Sequence, residues 1–91
     1  MNPVRPLWFY TYFLEYEKTG IFYTGCTNNI KKRMEQHNKG EVYYTKHRSP
    51  VKLVYFEACL NKSNAFRRER YLKTGMGKRN IRNRLTGGLT G

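Results

Sequence analysis

Apolar and polar positions along this chain switch between two periods, and the changeovers divide it into six elements. Trp8–Tyr16 is a run of aromatic and β-favouring residues, with Phe9, Thr11 and Phe13 pointing one way and Tyr10, Tyr12 and Leu14 the other. Both faces are apolar or aromatic, which predicts a central strand covered on both sides. Glu17-Lys18-Thr19-Gly20 forms a turn, and Ile21–Cys26 a second strand; so short a connection makes the pair an antiparallel hairpin. Gly25 reads as a break in that strand. Thr27, Asn28 and Asn29 suit a helix start, with Asn28 as N-cap. Ile30, Met34 and His37 then follow i, i+4, i+7 along the inner face of a helix running to Lys39 and stopping at Gly40. Arg33 flanks that face, while Lys31, Lys32, Glu35 and Gln36 lie on the other sides.

Glu41–Pro50 is a loop in which basic residues interleave with tyrosines. Such a loop suits contact with nucleic acid by charge and stacking; equally, Tyr43 and Tyr44 could simply pack it down. Val51–Leu60 is the third strand, with Val51, Leu53 and Tyr55 alternating with Val54, Phe56 and Ala58, again apolar on both faces. Asn61-Lys62-Ser63 caps a second helix from Asn64 to Thr74, ended by Gly75, and Gly77 opens a short basic helix, Lys78–Leu85. The order β-β-α-β-α-α defines an α/β fold on a small sheet. Residues 1–7 are a lead-in with Pro3 and Pro6, residues 8–85 the single domain, and residues 86–91 a Gly/Thr tail.

Composition narrows the picture. The 91 residues hold 18 Lys plus Arg against 6 acids, a net charge of +12, which points to a polyanionic partner through counterion release from phosphates. A nucleic acid, DNA or RNA, is a polyanion that such a charge suits. All acids are Glu, so a carboxylate-bound metal must choose among Glu15, Glu17, Glu35, Glu41, Glu57 and Glu69. Two cysteines, Cys26 and Cys59, are too few for a zinc site or a disulfide scaffold. Leu7–Leu14 mimics a secretory signal but is aromatic, ends at Glu15 and lacks a small-residue cleavage site. No stretch approaches transmembrane length, so the reading is a cytoplasmic protein with no membrane partner, taken as a monomer.

Two polar residues fall on apolar faces. On the second helix Ala65, Leu72 and Met76 share a stripe with Glu69 in its middle. A carboxylate there needs a partner, either an arginine from elsewhere or a cation held in a cleft. His37 poses the same choice: a satisfied core histidine, or, with Arg33 beside it and strand tyrosines opposite, part of a site for a negatively charged substrate.

These residues resemble the GIY-YIG nuclease domain in its small, stand-alone bacterial form. Tyr10-Thr11-Tyr12 corresponds to the first motif and Tyr23-Thr24-Gly25 to the second; the motif tyrosines Tyr12 and Tyr23 are eleven positions apart, as the family requires. The Asn28–His37 run matches the helix carrying the family's arginine, here Arg33, and the Arg67–Gly75 run the helix carrying its metal-binding glutamate, here Glu69. Tyr10 stands where the name-giving glycine would be, Thr11 replaces isoleucine, and Cys26 replaces the lysine that follows the second motif in the repair enzymes.

The resemblance implies a three-stranded, mainly antiparallel sheet flanked by helices, and Mg²⁺- or Mn²⁺-dependent cleavage of phosphodiesters in DNA repair or recombination. Tyr12, Tyr23, Arg33, His37 and Glu69 are the implied catalytic set. Glu69 would hold the metal, Arg33 the phosphate, and Tyr23, Tyr12 or His37 the proton of the attacking water. Gly25 and Asn80 are supporting candidates, with Asn83 an alternative to Asn80. Lys31, Lys32, Lys46, Arg48, Arg67, Arg68 and Arg70 are candidates for nucleic-acid contact. The competing reading is a basic nucleic-acid-binding module that keeps the fold without cleavage.

Overall fold

The computed structural model describes residues 7–42, 45–46 and 50–86. Its elements are β1 (Phe9–Tyr16), β2 (Phe22–Thr27), α1 (Ile30–Asn38), β3 (Val51–Cys59), α2 (Lys62–Leu72) and α3 (Gly75–Leu85), the order β-β-α-β-α-α. The three strands form one sheet in the order β2-β1-β3, with both pairings antiparallel. The two-faced apolar pattern of β1 is explained by that central position, and Thr11 to Leu14 are all buried.

The consecutive residues Thr11 and Tyr12 show which helix covers which face. Thr11 donates its hydroxyl hydrogen bond to the Ala65 carbonyl (3.2 Å), placing α2 on one side. Tyr12 meets His37 through its hydroxyl, placing α1 on the other. The apolar core lies on the α2 side, where Phe13, Phe22, Leu72 and Ile81 are buried together, with Val54 and Tyr55 packed against them. Gly20 in the hairpin turn and Gly40 after α1 both take positive φ, 71° and 73°.

Several boundaries differ from the sequence expectation. Gly25 does not break β2; it pairs with Tyr12 inside the ladder, and the strand continues to Thr27. The N-cap of α1 is Asn29, whose side chain accepts from the Lys32 amide (3.1 Å), rather than Asn28. Thr27 selects between the two asparagines, because its hydroxyl accepts from the Asn29 amide (3.1 Å) and holds Asn29 in the capping position. Asn61 caps α2, accepting from the Asn64 amide (2.9 Å), so the helix begins at Lys62.

The boundary between α2 and α3 also moves. Thr74 caps α3 by accepting from the Gly77 amide (3.1 Å), so the third helix starts at Gly75 rather than after Gly77. Gly77 lies inside that helix, at a point where a Cβ would stand 2.6 Å from the Leu72 Cα, so the close approach to α2 requires glycine there. Met76 consequently leaves the α2 stripe and is 71% exposed. Finally, β3 is an edge strand whose apolar residues are not all covered: Leu53 and Phe56 are exposed, against the expectation of two buried faces. Its ladder with β1 also shifts register between Phe13 and Leu14.

Candidate active site

Three aromatic rings converge above Gly25. Tyr12 and Tyr23 have ring centroids 6.4 Å apart, and His37 meets Tyr12 at 5.8 Å and Tyr23 at 5.4 Å, both edge-on. Gly25 makes this possible. It is the cross-strand partner of Tyr12, and a Cβ added to it would lie 2.5 Å from the Tyr12 Cζ and collide with the hydroxyl. The glycine is therefore a space requirement of Tyr12, independent of any turn.

The Tyr12 hydroxyl is the junction of the site. It lies 3.1 Å from His37 Nε2 and accepts from Arg33 Nε at 3.3 Å. His37 Nδ1 lies 2.7 Å from Thr45 Oγ1, which also donates to the Val42 carbonyl at 3.5 Å. Tyr12, His37 and Thr45 are completely buried. Both ring nitrogens of His37 are thus engaged inside the protein. Its imidazole is the satisfied core residue and the neighbour of the site tyrosines at once.

The electrostatics follow from burial. Desolvation pushes the Tyr12 phenol up to about 12, against the opposing hydrogen bond from Arg33, and the Glu69 carboxylate adds a smaller push in the same direction. Burial, reinforced by the Arg33 charge, holds His37 down to about 4, so the imidazole is neutral at physiological pH. Arg33 is raised above its ordinary value, first by its hydrogen bond to Tyr12, with contributions from Tyr23 as well.

Arg33 opens onto a pocket of about 400 Å³ between the end of β2 (Cys26, Thr27) and the first turns of α1 (Asn28, Asn29, Lys32, Arg33, Gln36). Its Nη1 donates to Gln36 Oε1 at 3.2 Å, which fixes the guanidinium plane. The pocket combines an arginine, a lysine and a helix N-terminus, an arrangement that suits an anion. Cys26, in the place of a lysine, brings no cation; burial and then the charge of Glu69 raise its thiol.

Glu69 projects from α2 into this neighbourhood. Its carboxylate is 17% exposed and pairs with Lys73 one turn on at 3.5 Å, so the partner is a lysine of its own helix rather than an arginine from elsewhere. Among the described residues no group of three or more His, Cys, Asp or Glu side chains gathers as a metal cage. A lone, half-buried carboxylate fits Mg²⁺, which retains most of its waters and takes one or two carboxylates, better than a metal needing several protein ligands.

The other candidates are dispersed. Lys32 lines the pocket, whereas Lys31, Lys46, Arg67 and Arg70 are exposed elsewhere on the surface. Arg68 is committed internally: its Nε donates to Glu57 Oε2 at 2.8 Å, and its guanidinium lies 5.4 Å from the Tyr71 ring centroid. Asn80 is exposed on α3 and accepts from Arg84 Nε (3.2 Å), and the Asn83 carbonyl accepts from Thr86. Arg48, Tyr43 and Tyr44 fall outside the described residues. Sequence reading missed Thr45 and Gln36. Gln36 was visible as a helical neighbour of Arg33 at i+3, but nothing in the pattern of a loop singles out Thr45.

A small antiparallel sheet with a tyrosine from each of two strands, an arginine helix and a glutamate helix defines a nuclease-type domain. Residues 8–85 match the family described as GIY-YIG catalytic domain, and the chain belongs to that family. A UPF0213 protein of Clostridium perfringens (strain 13 / Type A) is 49% identical over 65 residues, spanning 70% of this chain and 69% of that protein. A UPF0213 protein of Desulfotalea psychrophila is 42% identical over 71 residues, spanning 76% of this chain and 63% of that protein. The solution NMR structure of a UPF0213 protein from Bacillus halodurans superposes with a TM-score of 0.52 at 32% identity, covering 81% of each chain. Among the described residues no helix is long and apolar enough to cross a membrane.

Proposed function

We propose that this chain is a metal-dependent endonuclease that hydrolyses phosphodiester bonds in DNA, with the pocket beside Arg33 as the phosphate site. The observation that carries this reading is the arginine held by a buried tyrosine–histidine pair at the mouth of a cationic pocket, with the Glu69 carboxylate within electrostatic reach of the same tyrosine. A pure phosphate-binding surface has no need of a half-buried carboxylate. In this proposal the setting of the cleavage is DNA repair or recombination.

In this proposal Arg33 presents its remaining N–H donors to the phosphoryl oxygens; a guanidinium has five donors in all. Glu69 holds Mg²⁺ or Mn²⁺, which when bound supplies positive charge against the phosphate and the departing oxygen. Tyr23 takes the proton of the attacking water. Of the three candidate bases, Tyr12 is held protonated by its burial, and His37 has both nitrogens occupied and a conjugate acid too strong to accept a proton readily. Tyr23 is half-buried and interacts with Arg33 beside the pocket. Lys32 adds attraction at the pocket mouth.

Purified protein is expected to nick or cut DNA with Mg²⁺ or Mn²⁺ and to stop when chelator is added. Glu69→Ala should abolish cleavage yet retain salt-sensitive DNA binding, and Tyr23→Phe should cut at a small fraction of the normal rate. Undiminished cutting by Glu69→Ala sinks the metal assignment. Tight DNA binding without any metal-dependent product from the wild type would instead identify a binding module.

A further inference from the structure

We propose that Thr45 is a positioning residue: through His37 it completes a hydrogen-bond chain that holds Tyr12 against Arg33 behind the pocket. Its consequence for catalysis rests on the nuclease reading above; the chain itself does not.

The direction follows from the ends. At one end the Val42 carbonyl, which also accepts the Thr45 and Lys46 amides (3.1 and 2.9 Å), offers the Thr45 hydroxyl an acceptor (3.5 Å), and a Thr45 lone pair can then face His37 Nδ1 (2.7 Å). A neutral imidazole carries a single N–H. With that proton on Nδ1, Nε2 is an acceptor, and the Tyr12 hydroxyl donates to it (3.1 Å). At the other end Arg33 Nε–H can only donate, and the Tyr12 oxygen accepts (3.3 Å). Every donor then meets an acceptor.

The opposite tautomer breaks this order. With the proton on Nε2, the Tyr12 oxygen would face two donors, Arg33 and His37, and its own proton would lose the acceptor it has. Tyr12, His37 and Thr45 are all completely buried, so water cannot repair the loss. An orphaned buried donor is destabilising, because it forfeits its bond to water without a replacement. Arg33 sets this tautomer from one end and Thr45 supplies the acceptor for Nδ1–H at the other, although it sits in the loop after α1 and does not line the pocket. The resulting polarity leaves the Tyr12 lone pair facing Arg33 and the guanidinium held from behind.

Long-range ¹H–¹⁵N spectra of the imidazole ring test the chain directly. Wild-type protein is expected to show His37 as the Nδ1–H tautomer at neutral pH; an Nε2–H tautomer overturns the proposal without any variant. Thr45→Ser, which keeps the hydroxyl, should preserve both tautomer and cleavage. Thr45→Val, close in shape, should shift the imidazole toward Nε2–H and lower kcat roughly 10- to 100-fold, the usual scale for loss of a supporting hydrogen bond. An unaltered tautomer in Thr45→Val, or an altered tautomer with full kcat, overturns the positioning role. A wild-type protein that cuts nothing overturns the nuclease reading instead, and the tautomer then decides on Thr45 alone.

Discussion

His37 shows how one side chain can be both core and site. It is completely buried, and holding it neutral is part of folding. Its folded pKa is depressed to about 4 from the ordinary 6.5. Above pH 6.5 neither the folded nor the unfolded chain binds that proton, so the group contributes no pH dependence. As pH falls through 6.5 toward 4 the unfolded chain takes the proton and the folded one does not, so stability drops, by on the order of 3 kcal/mol in full. Urea denaturation at pH 7 and pH 4.5 is expected to show a loss in the wild type that is reduced in His37→Gln. Equal losses in the two proteins would mean that the imidazole is not held neutral. Sequence periodicity placed His37 on the inner face but left open whether it was core or site, because periodicity reports a direction and not a partner. The same limit explains Gly25. Its role depends on the register that sets it opposite Tyr12, and no local pattern carries register across two strands.

At the scale of the element, α2 divides its polar residues by side. Ala65 and Leu72 are buried, Glu69 turns toward Cys26 and the site, and Arg68 turns toward β3. There Glu57 is shared: one carboxylate oxygen accepts from Arg68 (2.8 Å) and the other from the Tyr55 hydroxyl (3.0 Å). The pair is about one-third exposed, 35% and 28% at its side chains, so its contribution is modest, about 1 kcal/mol. Arg68→Ala is therefore expected to lower stability by about that amount and to leave DNA affinity unchanged, whereas Arg67→Ala and Arg70→Ala should do the reverse. Thermal denaturation beside fluorescence anisotropy separates the two effects; weakened DNA binding by Arg68→Ala would return that residue to the binding surface. From sequence the three arginines were equivalent. They differ because Glu57 lies a whole strand earlier in the chain, and no spacing within the helix reveals it. The strand and helix order was readable because each element is long enough for its period to show. The α2–α3 junction was not, since Lys73 and Thr74 alone separate two helices, and Gly75 looked like the stop of one and Gly77 like the start of the next.

The whole molecule is organised around an excess of positive charge that its own acids do not neutralise. The ion pairs among the described residues engage Lys52, Arg68 and Lys73, while α3 carries Lys78, Arg79, Arg82 and Arg84 with no acid in the helix. Position matters more than the sum. The Arg82 guanidinium lies over the Phe22 ring, 4.9 Å from its centroid, and Phe22 precedes Tyr23 on β2. A cation seated on an aromatic face is oriented as well as charged. Arg82 therefore extends the basic surface along the β2 edge, away from the pocket that Lys32 and Arg33 line at the other end of the strand. A DNA backbone following that edge would meet both. The double variant Lys78→Ala/Arg82→Ala is expected to weaken duplex binding and to reduce the slope of log affinity against log salt by about 1–2, since each lost phosphate contact removes roughly 0.9. Lys52→Ala, on the far edge strand and already paired with Glu15, is the control and should leave the slope nearly unchanged. An equal slope change per charge removed in the two variants would show that DNA reads only the net charge, and the path along β2 would then be wrong.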